Sequence, residues 1–331
     1  MPKLDRLTGL KVARYLFRLN AVTPMLLPPF KGSTLRGGFG AAFRRSSCAE
    51  PDRPDCRGCL LGGVCAFSYC FATTRPAGSE VLRSLDEIPR PFVLEPPATD
   101  ATEIPAGDAL DFGLVLIGRA IEYFPYFLLS FRRLGEEGIG RDRTAGLGRF
   151  AVAGVFALPG WSDGPGEKIY EAERDFLHPE AVHTIGSEAV MARARDLAGE
   201  RLIVEFLTMT RLKSGEGVVM RPDFHVFLRA LLRRISALSY FHGGERLEAD
   251  FAGLAERARA VRLVRDGTFW RDFPRYSSRQ EARMDLGGLV GEAVYEGELG
   301  EFLPWLVWGE LVHVGKNATF GLGRYRLLAG G

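Results

Sequence analysis

Four cysteines in the first quarter of the chain have the spacing of a metal site. Cys48, Cys56, Cys59 and Cys65 follow the pattern C-x7-C-x2-C-x5-C in a Gly- and Pro-rich stretch, and a close C-x2-C pair suits tetrahedral zinc. Cys70, in the more apolar AFSYCFAT, is expected to be a buried small residue or to replace Cys48 or Cys65 as a ligand. We therefore expect a structural zinc, with an iron–sulfur cluster on the same thiolates as the alternative.

A glycine-rich segment occurs twice. GKNATFGLGRY covers Gly315 to Tyr325, and a near copy, GRDRTAGLGRF, covers Gly140 to Phe150. Glycine permits positive φ and a close approach to a ligand, and successive exposed amides can cradle phosphate oxygens. The candidate phosphate-binding residues of the second copy are Gly315, Gly321, Gly323, Lys316 and Arg324. The alternative is a tight loop that needs glycine for its geometry alone.

Basic residues alternate with aromatic ones in the second half of the chain. The segment FWRDFPRYSSRQ mixes arginines with Trp, Phe and Tyr, and RNA binding needs cations for phosphates and planar groups for unpaired bases. Arg229 and Arg233 lie one turn apart on a predicted helix, a repulsive pairing unless an anion neutralises it. The candidate RNA-binding residues here are Arg211, Lys213, Arg229, Arg233, Arg271, Arg275 and Arg279. For any single arginine, a solvated basic surface is the alternative.

The elements that would position these residues have the same predicted order in both halves. VARYLFRL alternates as a strand does, and STLRGGFGAAFRR predicts a helix capped by Ser33 or Thr34. RLIVEFLTMTRLK and DFHVFLRALLRRISALSYF repeat the strand and an amphipathic helix. The order β-α-β-β-α-β predicts an α+β fold of tandem ferredoxin-like (RRM-like) domains with antiparallel sheets. We place the first domain at 1–170, with the cysteine-rich insertion at about 48–70, and the second at 198–331.

Charge and hydropathy exclude several other classes. The net charge is +2, from 43 basic and 41 acidic residues, so a polyanion site must arise from local clustering. The most apolar stretch, 114–131, is interrupted by Arg119, Glu122 and Pro125, which argues against a membrane span. A charged N-terminus and clustered cysteines suggest a cytoplasmic protein. The glycines lead into a strand instead of opening a helix, unlike Walker and dinucleotide motifs.

Several of these segments together resemble a known superfamily. The tandem halves, the first-helix segment GSTLRGGFG and the C-terminal HVGKNATFGLGRY are similar to the repeat-associated mysterious protein (RAMP) superfamily of CRISPR systems. From FLTMTRLKSGEG through WRDFPRYSSRQ to GGLVGEAVYEGEL, the second half most resembles the CRISPR repeat-RNA processing endoribonucleases. The resemblance implies binding of precursor repeat RNA and its cleavage into guide RNAs, without a catalytic metal, leaving a 2′,3′-cyclic phosphate.

The resemblance also leaves alternatives open. The main one is a non-catalytic RAMP-type RNA-binding subunit of a CRISPR effector complex. A more distant one is a nucleic-acid binder that acts through the cysteines alone. The expected partners are CRISPR repeat RNA and an effector complex, with no membrane, and the expected state is a monomer or a homodimer.

The sequence offers two hypotheses for the catalytic groups. Attack by an RNA 2′-hydroxyl needs a base, an acid and a cation near the phosphorane. The resemblance implies a catalytic histidine near the first helix, but the first histidine is His178, and Arg36 lies roughly at the expected place. One hypothesis makes His313 the base or acid and Lys316 the charge stabiliser. Another uses Arg36, Lys31 and a tyrosine to orient the RNA and stabilise charge.

Overall fold

The fold consists of two compact units. The computed structural model describes residues 9–76, 78–79, 81, 87–162, 164, 166–215, 217–277 and 282–330. We call Leu10–Ile185 with Phe241–Gly244 the N-terminal unit, and Gly186–Tyr240 with 245–330 the C-terminal unit. The division falls between the two domain boundaries that we placed from the sequence.

The N-terminal unit contains an antiparallel sheet and two helices. Its strands are β1 (Val12–Ala21), β2 (Met25–Leu26), β3 (Phe92–Glu95), β4 (Glu103–Ile104), β5 (Ala109–Ile117), β6 (Phe150–Leu158), β7 (Glu167–Glu171) and β8 (Phe176–Leu177). Its helices are α1 (Gly32–Ser47) and α2 (Phe124–Glu137). The sheet order is β3-β5-β1-β6-β7-β8, and β2 pairs separately with β4.

Aromatic packing fixes the helices of this unit against its sheet. The ring of Phe131 on α2 lies 5.1 Å from Phe17 on β1 and 4.9 Å from Phe39 on α1. Helix α1 also comes close to the insertion that follows it, because a Cβ on Gly40 would lie 2.2 Å from the Phe71 ring. The glycine is therefore required by packing, despite its low helix propensity.

The C-terminal unit repeats this architecture. Its helices are α3 (Ser187–Asp196), α4 (Phe224–Leu238), α5 (Phe251–Arg257) and α6 (Leu303–Val312). Its strands are β9 (Arg201–Thr210), β10 (Lys213–Ser214), β11 (Gly217–Val218), β12 (Arg262–Arg271), β13 (Pro274–Ser277), β14 (Ala282–Asp285), β15 (Gly288–Glu296) and β16 (Tyr325–Ala329). The sheet order is β12-β15-β9-β16, with β10–β11 and β13–β14 as small antiparallel pairs.

The two units share one topology. The order is β1-α1-β3-β5-α2-β6 in the first and β9-α4-β12-β15-α6-β16 in the second, and corresponding strands occupy corresponding places in the sheets. The predicted α+β class with antiparallel sheets is confirmed. The predicted cap of the first helix is wrong. Helix α1 begins at Gly32 with Lys31 at the N-cap position, so Ser33 and Thr34 lie inside the helix.

Helix α6 is buried along its whole length and carries one charged residue. Glu310 accepts hydrogen bonds from the Arg193 guanidinium on α3 at 2.7 and 2.9 Å and from the Leu327 amide on β16 at 2.7 Å. The carboxylate thereby ties two helices to the last strand. Within the described ranges, no helix is long and apolar enough to cross a membrane.

We expect Glu310→Ala to lower the free energy of unfolding by about 3 kcal/mol, because it removes the carboxylate that accepts from the half-buried Arg193 cation and from the Leu327 amide. The longer bond from Arg193 to the Leu327 carbonyl, at 3.3 Å, would remain. Glu310→Gln keeps an acceptor oxygen and should cost less. Urea unfolding measures both. As a control, Glu205→Ala breaks the more accessible pair with Arg326 and should cost less than about 1 kcal/mol. A Glu310→Ala effect no larger than the control would contradict this account.

Candidate nucleic-acid interface

Each unit carries a glycine-rich loop between its second core helix and the strand that follows. We call 138–150 the N-loop and 313–325 the C-loop. Positive φ angles occur at matching positions: Gly140 (86°) and Gly315 (82°), Asp142 (59°) and Asn317 (62°), Gly146 (86°) and Gly321 (82°), and Gly148 (79°) and Gly323 (72°). Each loop also contains a short 3-10 turn. The repeated sequence is therefore a repeated backbone conformation.

A threonine anchors the C-loop to the first strand of its unit. The Thr208 hydroxyl donates to the Gly321 carbonyl at 2.8 Å and accepts from the Arg324 amide at 2.9 Å. The Gly323 amide adds a bond to the Met209 carbonyl at 3.2 Å. These three bonds hold both arms of the loop against β9.

The N-loop has the same anchor in the other unit. The Thr23 hydroxyl donates to the Gly146 carbonyl at 3.1 Å and accepts from the Arg149 amide at 3.0 Å. The Gly148 amide donates to the Pro24 carbonyl at 2.9 Å. The two loops thus correspond bond for bond as well as in φ.

Sequence reasoning missed the two anchoring threonines. Thr23 lies in AVTPML and Thr208 in FLTMTR, at the end of the first strand of each half. A comparison of the halves that included the first strands as well as the glycine-rich loops would have aligned these two residues. Without that alignment, a threonine after a strand has no distinguishing signal.

The glycines of the C-loop are required by backbone crowding. A Cβ on Gly323 would lie 1.7 Å from the Val314 carbonyl oxygen, and one on Gly315 would lie 2.6 Å from the Arg211 carbonyl oxygen. These contacts support the geometric alternative for the loop. Phosphate binding by Gly315, Gly321 and Gly323 stays a prediction.

Three cations come together beside the C-loop, and we call Arg211, Lys213 and Lys316 the basic cluster. The Lys316 amide donates to the Arg211 carbonyl at 3.2 Å, which places the two residues side by side. Burial, with the nearby charges of Lys213 and Arg211, lowers the pKa of the Lys316 ammonium. Lys213 and Lys316 are both exposed. Such a concentration of positive charge suits a phosphate.

An aromatic residue flanks the basic cluster. The Arg211 guanidinium lies 5.7 Å from the centroid of the Trp270 ring on β12, and the Trp270 indole donates to Asp272 at 2.8 Å. On the same strand, Phe269 is 55% exposed and Arg271 lies 5.9 Å from its ring. This edge strand therefore presents aromatic and guanidinium groups together, as the sequence suggested.

The remaining predicted RNA-binding residues are placed less specifically. Arg229 and Arg233 are exposed one turn apart on α4, and Arg324 is half-buried beside the C-loop anchor. The backbone of Arg275 lies in β13, in a part of the chain where no side chain is described, and Arg279 lies outside the described residues. Among the described residues, neither Arg229 nor Arg233 makes a polar or ring contact with the basic cluster.

Many charged side chains on the sheet of the C-terminal unit pair with one another across neighbouring strands. Cross-strand ion pairs neutralise acidic and basic side chains, namely Arg326–Glu205, Arg265–Glu292 and Arg201–Glu296. Pairs of this kind reduce the positive potential available to a polyanion. The loop end of the unit, not the paired part of the sheet, is its better anion site.

The candidate base His313 is fully buried. Its backbone has φ 61° where the N-loop has Gly138 (φ 79°), and its Nδ1 lies 3.1 Å from the Leu322 carbonyl oxygen. A carbonyl only accepts, so Nδ1 is the donor and the ring holds the loop together. A catalytic role for His313 stays a prediction, which its burial disfavours.

The second set of candidate catalytic residues, Lys31 and Arg36, lies at the start of α1. Lys31 is fully buried, and its ammonium donates to the carbonyls of Pro29 at 3.0 Å and Thr99 at 2.8 Å. Burial lowers its pKa, and Asp100 acts in the opposite direction. Arg36 is half-buried, with its guanidinium 4.4 Å from the Phe71 ring. The catalytic roles of Lys31 and Arg36 stay predictions. In the structure, the Lys31 ammonium joins the segment before α1 to the segment around Thr99.

The four candidate metal ligands lie close to one another. Burial, followed by the neighbouring Cys48 and Cys65 thiols, raises the pKa of Cys56, and Cys59 acts in the same direction. Over the described part of the chain, no three His, Cys, Asp or Glu side chains form a group ready to hold a metal. The donor chemistry fits zinc, while the thiols are not drawn into a tetrahedral arrangement. Cys70 is buried in the core, as expected.

Comparison with protein families divides the chain in the same way. Residues 10–182 match the family AF_1859_N, described as an N-terminal domain. Residues 204–325 match the family described as CRISPR-associated endoribonuclease Cas6. The second match contains Thr208, the basic cluster and the C-loop.

Individual proteins are similar to this chain along most of its length. An uncharacterised protein of Archaeoglobus fulgidus is 23% identical over 303 residues, which cover 91% of this chain and 92% of that protein. Thermus thermophilus Cas6 has a TM-score of 0.52 at 15% identity, covering 96% of this chain and 99% of that one. A chain of a partial Cas6-RT-Cas1–Cas2 complex has a TM-score of 0.57 at 12% identity over 98% of this chain. This chain spans 47% of that longer one.

Gly323→Ala should destabilise the protein by about 2 kcal/mol or more, since it adds a Cβ at a positive φ against the Val314 carbonyl. Thermal or urea unfolding measures the loss. Gly37→Ala is the matched control, because its Cβ would meet nothing within 4 Å on α1. The control should be neutral or stabilising by up to about 1 kcal/mol. Equal stability of Gly323→Ala and the wild type would refute the crowding argument.

Proposed function

We infer that the chain binds precursor CRISPR repeat RNA and cuts it within each repeat. The chain belongs to the AF_1859_N family over residues 10–182 and matches the CRISPR-associated endoribonuclease Cas6 family over residues 204–325. The observation that carries the proposal is the basic cluster on the C-loop with Trp270 beside it. Cations for phosphates next to a planar side chain for a base form a site for unpaired RNA.

Within the C-terminal unit, the RNA backbone would lie along the loop end and the edge strand β12. Lys213 and Lys316 are exposed and would contact phosphates, and Phe269 is exposed enough to stack on a base. The ion-paired part of the sheet offers less net charge, which supports this placement over one across the sheet face.

The proposed chemistry is attack of an RNA 2′-hydroxyl on the adjacent phosphate, leaving a 2′,3′-cyclic phosphate and a free 5′-hydroxyl. The RNA supplies the nucleophile, so no catalytic metal is proposed. Lys316 would supply the cation for the developing phosphorane charge, because it is exposed on the C-loop within the basic cluster. Its lowered pKa would also suit it to proton transfer. Arg211 and Lys213 would hold the flanking phosphates.

A cleavage assay in EDTA tests this proposal. The substrate is repeat RNA transcribed from the CRISPR array of the source organism, with a matched RNA that carries a single 2′-deoxy nucleotide at the cut site. We expect the first RNA to be cut and the second to be bound but left intact. Tight binding without cutting of either RNA would refute the nuclease proposal and support the non-catalytic RAMP-subunit alternative.

The pH dependence separates two roles of Lys316. Its lowered pKa means that the ammonium loses its proton at a lower pH than an ordinary lysine. If its charge stabilises the phosphorane, the cleavage rate should fall at alkaline pH, and Lys316→Arg should extend activity to higher pH. Lys316→Ala should lose about 100-fold where the wild-type ammonium is protonated, and this deficit should shrink as that ammonium loses its proton. Lys213→Ala removes a like charge, so it should raise the pKa of Lys316 and shift the fall in cleavage rate to higher pH.

Rates measured in single-turnover experiments from pH 6 to pH 10 check these expectations. A Lys316→Arg enzyme as slow as Lys316→Ala would contradict the charge-stabilising role and assign Lys316 a proton-transfer role instead. Rates of Lys316→Ala equal to those of the wild type would remove Lys316 from the mechanism.

We further propose that Cys48, Cys56, Cys59 and Cys65 hold a structural zinc, with an iron–sulfur cluster as the alternative for the same donors. Cys48, Cys59 and Cys65 lie near enough to Cys56 to add to the effect of burial in raising the pKa of its thiol, and this proximity supports the proposal. A bound metal would cross-link the insertion between α1 and β3.

Metal analysis of the purified protein should find one zinc per chain, and a visible absorbance band would indicate the cluster instead. Cys56→Ser with Cys59→Ser should lose the metal and lower the melting temperature. Cys70→Ala, the control, should keep the metal. Full metal content in the double variant would contradict the assignment.

Assembly with other CRISPR proteins is also proposed. The similarity to a chain of a solved complex that contains Cas6, RT, Cas1 and Cas2 supports it. The expected monomer or homodimer stays a prediction.

A further inference from the structure

The N-loop carries three exposed arginines that the proposed function does not use. Arg143 and Arg149 are exposed, and the described residues provide no hydrogen-bond or ion-pair partner for either side chain. The Arg141 side chain is 75% exposed, and its ion pair with the adjacent Asp142 at 3.5 Å is accessible to solvent. Such a pair contributes little, so the loop keeps a net positive charge.

The N-loop carries one more basic side chain than the C-loop, but Asp142 stands where the C-loop has Asn317, so both loops have a net charge of +2. Arg141 occupies the position of Lys316, and Arg143 occupies that of Ala318. The backbone beneath them has the same positive φ angles and the same threonine anchor as the C-loop. Its arginines are therefore displayed on a backbone that is already ordered, which lowers the entropy cost of binding an anion.

The surroundings of the N-loop distinguish phosphates from bases as the ligand. Its one aromatic residue, Phe150, is buried. The exposed apolar neighbour is Val22, whose amide donates to the Arg149 carbonyl at 2.8 Å. Neither offers a planar surface on which a base could stack. Guanidinium groups pair bidentately with phosphates, which carry no sequence information, and the lack of an aromatic platform favours that ligand.

We propose that the N-loop is a second RNA site, which binds the phosphodiester backbone through Arg141, Arg143 and Arg149 without regard to sequence. The proposal rests on the proposed function, because it takes RNA as the ligand. It differs in chemistry from the C-loop site, where Trp270 supplies a planar group beside the cations.

The test is a salt titration of RNA affinity with two fluorescein-labelled probes, the repeat RNA and a uridine-only RNA of the same length. Replacing Arg141, Arg143 and Arg149 with alanine should weaken binding of both probes by the same factor, about tenfold or more at low salt. It should also flatten the plot of log affinity against log salt by about two units, since each lost phosphate contact removes about 0.7. The corresponding lysine triple variant keeps the charges and should restore the slope.

A second triple variant controls for the loss of net charge. Arg18→Ala, Arg132→Ala and Arg174→Ala remove the same charge from ion-paired sites of the same unit. They should change the slope by less than about half a unit. Melting temperatures confirm that both triple variants are folded, as expected for surface substitutions.

The outcomes separate this proposal from the proposed function. If the N-loop variant binds both probes as the control does, while Lys213→Ala with Lys316→Ala binds weakly, the N-loop proposal is overturned and the C-loop site stands. If the N-loop variant loses affinity for the repeat RNA alone, backbone recognition is overturned in favour of sequence readout. If the wild type binds neither RNA, both proposals fail.

Discussion

A threonine hydroxyl that bridges a loop carbonyl and a loop amide is the contact on which each glycine-rich loop depends. In the C-terminal unit, Thr208 joins Gly321 to Arg324 across the turn. The bond holds the loop close to the first strand. The Arg211 carbonyl, just after that strand, leaves no space for a Cβ at 315, and the Val314 carbonyl on the opposite arm of the loop leaves none at 323. Glycine at 315 and 323 is a consequence of that closeness. The basic cluster in turn depends on the loop, because Lys316 is placed beside Arg211 by a backbone hydrogen bond.

In each unit, the contacts that stabilise the fold are separate from the exposed charged groups. Buried aromatic residues and the Glu310–Arg193 pair fix helices to sheets. Ion pairs on the sheet use up its charges, so the positive potential is left at the loop end. The exposed cations of the two loops therefore lie where backbone geometry, not side-chain packing, sets the course of the chain.

Much of the fold followed from the sequence because its signals are local and occur twice. Strand alternation, helical periodicity and the repeated glycines together give the order β-α-β-β-α-β and its duplication. The site was harder to predict. The type of a residue shows whether it can carry charge or transfer a proton. Whether its side chain is buried depends on residues far away in the sequence, which cannot be read from the residue itself. The Lys31 ammonium is met by the Thr99 carbonyl, and His313 lies at a position where the other half has glycine. Neither contact has a local signature.

The anchors of the two loops have a consequence for how such proteins diverge. Each anchor consists of backbone groups and one threonine hydroxyl, and the side chains at positions 141, 143, 316 and 318 take no part in it. The exposed side chains at 141, 143 and 316 can therefore be exchanged without disturbing the anchors. A lineage can change the charge that either loop presents with little effect on folding stability. Position 318 differs from its counterpart, because Ala318 is buried where Arg143 is exposed, so the N-loop has room for a cation that the C-loop could not hold there.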